Sequence, residues 1–180
     1  VIIGEAGTVT FDHTFDVGLS LFGTMFFQDT GAAFATMHKA FSPGARFHFA
    51  AWAGPQDNPW FTIPRAAVEA HFGALPKPDM SKPGPFRFAD AGETKRIINA
   101  AGWTVSCHTE ALYLETGLPL SGLAEMHMTL AQSLLLPDMD VSARDRTILR
   151  RNLIDHFRQY EHGGSVIVPA RVHFFTATAR

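Results

Sequence analysis

Apolar residues fall into short blocks separated by proline, glycine and aspartate, and the period changes from block to block. Phe15 to Phe22 is a largely apolar run behind acidic residues, the pattern of a parallel strand covered on both faces. Asp29 stands where a helix N-cap belongs, and Ala33, Met37, Ala40 and Phe41 then keep helical apolar spacing. Ser42-Pro43-Gly44 predicts a tight turn, and Arg46 to Trp52 a second, aromatic-rich strand. Strand, loop, helix, turn and strand make one βαβ crossover. Ligands of an open parallel sheet collect where its strands end, which directs attention to the loop Gly23 to Gln28.

The alternation is then interrupted. Gly54 to Pro59 reads as a loop, Phe61 to Phe72 as a helix broken or started around Pro64, and Gly73 to Pro85 as a proline-rich irregular connection. Long connections of this kind are often lids or binding segments, so residues 54–89 are expected to form a lid-like cover for a substrate; an insertion without catalytic role is the alternative. Asp90 predicts an N-cap for a helix through Ala101, Gly102 its end, and Trp103 to Tyr113 a strand. Ser121 to Tyr160 is helical in pattern: Leu123, Met126, Leu130 and Leu134 recur at helical spacing, and Ile148, Leu149, Leu153, Ile154 and Phe157 do so after Pro137. Gly163-Gly164 is a turn before a last apolar strand, Ser165 to Ala177.

Composition narrows the class. The chain has 180 residues, 46% hydrophobic and 18% charged, enough for one core of ordinary size. A formal net charge of −2 gives no global case for nucleic acid, and Arg144, Arg151 and Arg158, seven apart, read as a solvated helix face offset by Asp145, Asp155 and Glu161. No apolar run is long enough to predict a membrane span, and the run Val17 to Phe27 follows acids instead of a basic segment, which argues against a signal peptide. A cytoplasmic protein is expected, and the single Cys107 fits a reducing compartment. Nine histidines show no HExxH or Cys/His ligand spacing, so no metal site is expected. His48 and His173 read as hydrogen-bonded histidines within strands; His13, His71 and His127 are left as candidate general bases.

These residues also carry a resemblance. Phe15-Asp16 opening a strand, SLFGTMFF at its end, a helix from Asp29, Ser42-Pro43-Gly44, then AWAGPQDNPWFTIP, PGPFRFAD, a helix ending in AAGW and a last strand near Val172 to Ala177 together resemble a small-molecule subfamily of the class I S-adenosylmethionine-dependent methyltransferases. The likeness spans nearly all of the chain. It implies an α/β fold built on a partial Rossmann-like methyltransferase sheet, mostly parallel with a final antiparallel strand, plus a helical insertion. It also implies S-adenosyl-L-methionine as cofactor and methyl transfer to a small, apolar or aromatic molecule. Glu5-Ala6 stands in the place of an acidic-then-small pair that contacts adenine, although the plain reading of Glu5 is an exposed turn carboxylate. Ser20-Leu21-Phe22 matches the segment whose backbone lies beside the methionine moiety, with Leu21 where relatives often carry Arg. Met25, Phe26 and Trp60 are the expected substrate contacts, on the ground that binding sites are mostly apolar; core packing is the alternative for such residues. Residues 121–160 are expected on the substrate side. The acceptor atom, whether carbon, oxygen or nitrogen, stays open.

The family's glycine-rich cofactor turn is not in this sequence: Gly4-Glu5-Ala6-Gly7 is only a G-x-x-G. Residues 1–180 are therefore expected to be the C-terminal portion of a methyltransferase domain, inactive alone. A noncatalytic interaction or dimerisation module is the rival reading. In the family's strand order the strand from Phe15 would have a free hydrogen-bonding edge, and such an edge recruits another chain. A homodimer, or poor solubility, is the expected outcome; sedimentation as a monomer, with strongly protected amides through residues 15–22, would refute it.

Overall fold

The computed structural model describes residues 3–5 and 7–180. Its ten main elements are β1 (Phe15–Leu21), α1 (Thr30–His38), β2 (Phe41–Trp52), α2 (Pro59–Phe72), α3 (Ala91–Ala100), β3 (Trp103–Glu115), α4 (Leu120–Leu134), α5 (Ala143–Phe157), β4 (Glu161–His162) and β5 (Ser165–Ala179). They divide into two compact units. The first comprises Val1–Gly54, Asp79–Glu110 and Arg171–Arg180, and the second Pro55–Pro78 and Ala111–Ala170. The stretch 54–89, read from sequence as one insertion, is thus shared between the two.

The sheet is mixed, with strand order β1-β2-β5-β3. β1 and β2 are parallel and joined through α1, while β5 inserts antiparallel beside β2, Phe49 facing Phe175 and Trp52 facing Val172. β1 occupies the sheet edge among the described residues. The predicted crossover is present, with one displacement. α1 ends at His38 and β2 starts at once at Phe41, so Ser42-Pro43-Gly44 is an irregularity inside the strand: Phe15 faces Phe41, yet Val17 already faces Arg46. Phe41 accordingly belongs to the strand and not to the helical stripe.

Sequence and local chemistry agree at the helix starts. The Asp29 carboxylate accepts from Ala32 N at 2.9 Å, and that of Asp90 from Gly92 N and Glu93 N at 2.9 and 3.0 Å, satisfying amides that the first helical turn leaves unpaired. Both helices bury their apolar side against one face of the sheet. Phe34 of α1, Ile98 of α3, Phe88 and Trp103 pack with Phe47, Phe49, Phe175 and Ala177 as the core of the first unit. The Trp103 indole N–H, fully buried, donates to the Phe34 carbonyl at 2.9 Å. Gly18 lets Phe41 and Phe47 close over β1, since a Cβ there would lie 2.6 and 2.7 Å from their rings.

Among the described residues only one face of β1 is covered, against the expectation of two. Val17, Leu19 and Leu21 point the other way and are 58%, 78% and 78% exposed, because both helices of this unit pack on the opposite face. An apolar run alone does not say how many faces are buried.

In the second unit α2 and α4 both pack on α5, and Ile63, Ala67, Leu123, Met128, Leu153 and Phe157 close over Val166 and Val168. Pro64 is accommodated within α2 instead of breaking it. α5 opens with a capping box between Ser142 and Asp145, and its Arg144 and Arg151, with Arg158 just past its end, are exposed as expected. α4 is rotated from the predicted stripe: Leu123, Ala124, His127, Met128 and Ala131 are buried, while Leu130 and Leu134 are not. Counting only large apolar residues misses a face built on two alanines and a histidine, where small side chains permit close helix approach. Gly163 and Gly164, at φ of 58° and 83°, form the two-residue turn between β4 and β5, a conformation that right-twisted hairpins favour and glycine adopts without strain.

Candidate functional site

The C-terminal end of β1 is the most distinctive backbone in the first unit. Ladder pairing ends with Leu21 opposite Ala50, and Phe22 N still donates to the Ala50 carbonyl at 3.0 Å. Phe22 then enters the left-handed region at φ 57°, where it is the one non-glycine residue so placed among those described. A bulky side chain pays on the order of 1–3 kcal/mol for that conformation. Part of the compensation is visible: the Phe22 ring stacks on Trp52, at the end of the neighbouring parallel strand, with centroids 4.3 Å apart and planes at 18°. Thr24–Phe26 follow as one 3₁₀ turn, leading to the Asp29 cap of α1.

The turn is anchored from beneath. Met25 is fully buried in the aromatic core, and its carbonyl accepts from Gly84 N at 3.1 Å, tying the connection before α3 to the strand end. Thr24 is 1% exposed, and its hydroxyl has no hydrogen-bond partner among the described residues. The hydroxyl of Thr30 at the start of α1 is likewise buried and unpaired. Buried hydroxyls without partners are unusual and mark a region with polar capacity in reserve.

The sequence-predicted residues are distributed as follows. Ser20, Leu21, Phe22, Met25 and Phe26 are brought together at the end of β1, Leu21 and Phe26 exposed and Met25 in the core. Glu5 is exposed; its carbonyl accepts from Thr8 N and Val9 N at 3.0 and 2.9 Å in a turn that reaches α1 through Thr36 Oγ1 and the Gly7 carbonyl, 3.0 Å apart. Ala6 lies outside the described residues. Trp60 belongs to the second unit, where its ring stands edge-on to the imidazole of His127 at 4.6 Å. The left-handed Phe22 and the orphaned Thr24 hydroxyl have no signature in the residue types.

The histidines separate clearly. His173 is buried and satisfied: Nε2–H donates to the Ala89 carbonyl at 3.1 Å, which leaves Nδ1 to accept from Thr109 Oγ1 at 2.8 Å. His48 pairs with Thr176 at 3.0 Å, and exposed His13 packs edge-on against Phe15. His71 Nε2 lies 2.7 Å from Asp145, the capping carboxylate of α5, whose pKa is held below the ordinary value by Ser142 first and by His71 second. That pair joins α2 to α5. His127 differs from all of these: it is buried, its Nε2 has no hydrogen-bond partner among the described residues, and burial pushes its pKa down from 6.5 to about 4. Cys107 is no activated nucleophile, because burial pushes its thiol pKa up. Among the described residues no three potential metal ligands cluster, and no helix is long and apolar enough to cross a membrane.

Comparison with solved structures identifies the fold. The chain aligns over 97% of its length with 75% of a "putative methyltransferase" of Bacillus halodurans C-125, at a TM-score of 0.51 and 11% identity. It aligns over 98% of its length with 69% of the YcgJ protein of Bacillus subtilis, at a TM-score of 0.51 and 14% identity. The chain has a class I methyltransferase fold. No protein-family model matches it, and no curated protein matches it in sequence. Within this methyltransferase fold, β1 and β2 are the neighbouring parallel strands, β5 is the antiparallel strand inserted beside them, and the Phe22 turn sits where open α/β sheets take ligands.

The buried imidazole makes stability pH-dependent. With a folded pKa near 4 against 6.5 unfolded, His127 resists a proton that the unfolded chain accepts, so its contribution is complete above pH 6.5 and is lost as pH falls towards 4. The expected loss is on the order of 3 kcal/mol. Urea denaturation of wild type and His127→Phe at pH 7.5 and 4.5 should show the variant losing distinctly less stability on acidification; equal losses would place the imidazole in contact with water.

Proposed function

We propose that this chain serves S-adenosyl-L-methionine-dependent methyl transfer to a small apolar or aromatic molecule, the Phe22 turn forming one wall of the cofactor cleft. The observation that carries the reading is a strained, non-glycine turn at the C-terminal end of a parallel strand, in a methyltransferase fold. Strain of this kind persists where the surroundings over-determine it, and it clusters at ligand clamps.

The residues present fit the cofactor as one wall. The backbone of Ser20-Leu21-Phe22 would lie along its methionine part, with the spare Thr24 hydroxyl beneath, and the exposed Glu5 carboxylate would reach its nucleoside, with Ala6 beside it by resemblance. When bound, the cofactor supplies a methyl group on a positively charged sulfur, open to displacement by a lone pair of the acceptor. The protein's task is alignment and exclusion of water, which together can supply most of the rate without a catalytic triad. Phe26, with its exposed ring, would bind the acceptor, whereas Met25 would act by holding the turn from below. Residues 54–89 and 121–160 would serve acceptor binding in this reading.

A second reading is favoured by the exposed Val17, Leu19 and Leu21 on an edge strand: a noncatalytic module that associates, for example with its own second copy, through that edge. Calorimetric titration of S-adenosylhomocysteine into this chain, and into a longer polypeptide containing it, separates the two. Binding by the longer form, at least about tenfold weakened by Phe22→Ala, is expected for the enzyme; absence of binding in both forms would leave the association module.

A further inference from the structure

The first unit holds a cavity whose lining comes from residues 80–97 and not from the Phe22 turn. It lies between the connection ahead of α3 and the first turns of that helix, with a volume of about 510 Å³. Met80, Phe86 and Ile97 give it apolar walls, and Arg87 is the cation among its lining residues. Its frame is held in place. Phe88 is 1% exposed in the aromatic core, Gly84 N donates to the Met25 carbonyl, and the Ala89 carbonyl accepts from His173.

The carboxylates around this cavity are engaged within the chain. Asp90 caps α3 through Gly92 N and Glu93 N, Glu93 is gripped by both Nε and Nη2 of Arg96, and Asp79 accepts from Ser81 N and Oγ at 2.9 and 2.6 Å. Arg87 is the exception: it is half-buried, and its guanidinium makes no hydrogen bond or ion pair among the described residues. The other half-buried arginines with printed partners, Arg65 and Arg150, are each held by a glutamate, at 2.8 and 2.5 Å. Residues 79–97 carry four cations, Lys82, Arg87, Lys95 and Arg96, against three carboxylates, Asp79, Asp90 and Glu93, so the neighbourhood tolerates one further negative charge. We propose that this cavity binds an aromatic carboxylate, the rings against Phe86 and Ile97 and the carboxylate on the Arg87 guanidinium. A planar guanidinium offers a fork of N–H donors that a carboxylate matches with two parallel bonds. Ligand cavities run roughly from 300 to 1,000 Å³, which leaves room here for a molecule of one or two rings. An ammonium in the same place would meet a like charge and leave the fork unfilled. The site is argued from its own geometry and stands whether or not the chain transfers methyl groups.

The anion 2-naphthoate and its neutral isostere 2-naphthamide, matched in shape and differing in charge, test it without cofactor or activity. At pH 7.5 naphthoate is expected to bind, to move the amide resonances of Arg87 to Asp90 and of Thr94 and Ile97, and to bind at least about tenfold more tightly than the amide. Arg87→Gln should weaken naphthoate by about tenfold or more and bring the two ligands to nearly equal affinity. The guanidinium holds no other part of the described chain, so this variant is expected to fold; should it not, the two ligands still discriminate on the wild type. Equal affinity for acid and amide, binding of neither, shifts confined to other segments, or a preference that survives Arg87→Gln would overturn the proposal.

Discussion

The aromatic layer beneath the sheet holds the first unit in register. Phe49 and Phe175 stack at 4.7 Å across the antiparallel β2–β5 pair, and Phe34 of α1 meets both Phe47 and Phe49 within 6 Å. Trp103 closes the layer from β3, donating its buried indole N–H to the Phe34 carbonyl. That hydrogen bond fixes the axial position of α1 against the sheet, because leaving the indole N–H unpaired in an apolar core would cost the full desolvation penalty. Once α1 is fixed, so is its N-cap at Asp29, and the six residues Gly23 to Gln28 must span from the end of β1 to that point. The left-handed Phe22 is the local consequence.

The site therefore owes its shape to packing some distance away. Met25 sits in the core instead of in a cleft, and by doing so it draws the 3₁₀ turn inward and leaves Phe26 outside. The Phe22–Trp52 stack joins the ends of two adjacent parallel strands and returns part of the strain energy as ring contact. The proposed methyl-transfer site would need such rigidity more than acid or base, since alignment supplies most of the rate.

Much of the fold was legible in the residues because local and global preferences coincide. Aspartates at 29 and 90 mark helix starts, and paired glycines at 163 and 164 mark a hairpin whose backbone only glycine enters freely. The order of elements, combined with a resemblance carried by motifs such as SLFGTMFF and PGPFRFAD, was enough for the fold class. Other features were not legible, for physical reasons. An apolar strand reads alike whether one face or two are buried, so the exposure of Leu19 and Leu21 was missed. Hydrophobic periodicity weights large side chains, so the buried face of α4, built on Ala124, His127 and Ala131, was displaced towards Leu130 and Leu134. Positive φ at a phenylalanine leaves no trace in residue type, and neither does the lack of a hydrogen-bond partner, among the described residues, for Thr24 or His127. Both are properties of surroundings assembled from distant parts of the chain.

The proposed cofactor cleft sets the turn at the end of β1 against the methyl donor. Amide resonance mapping during titration with S-adenosylhomocysteine, on a polypeptide containing this chain, addresses it most directly. The largest shifts are expected at Leu21 to Thr24 and in the Trp52 indole; shifts confined to other segments, with Phe22 and its neighbours unmoved, would rule that contact out.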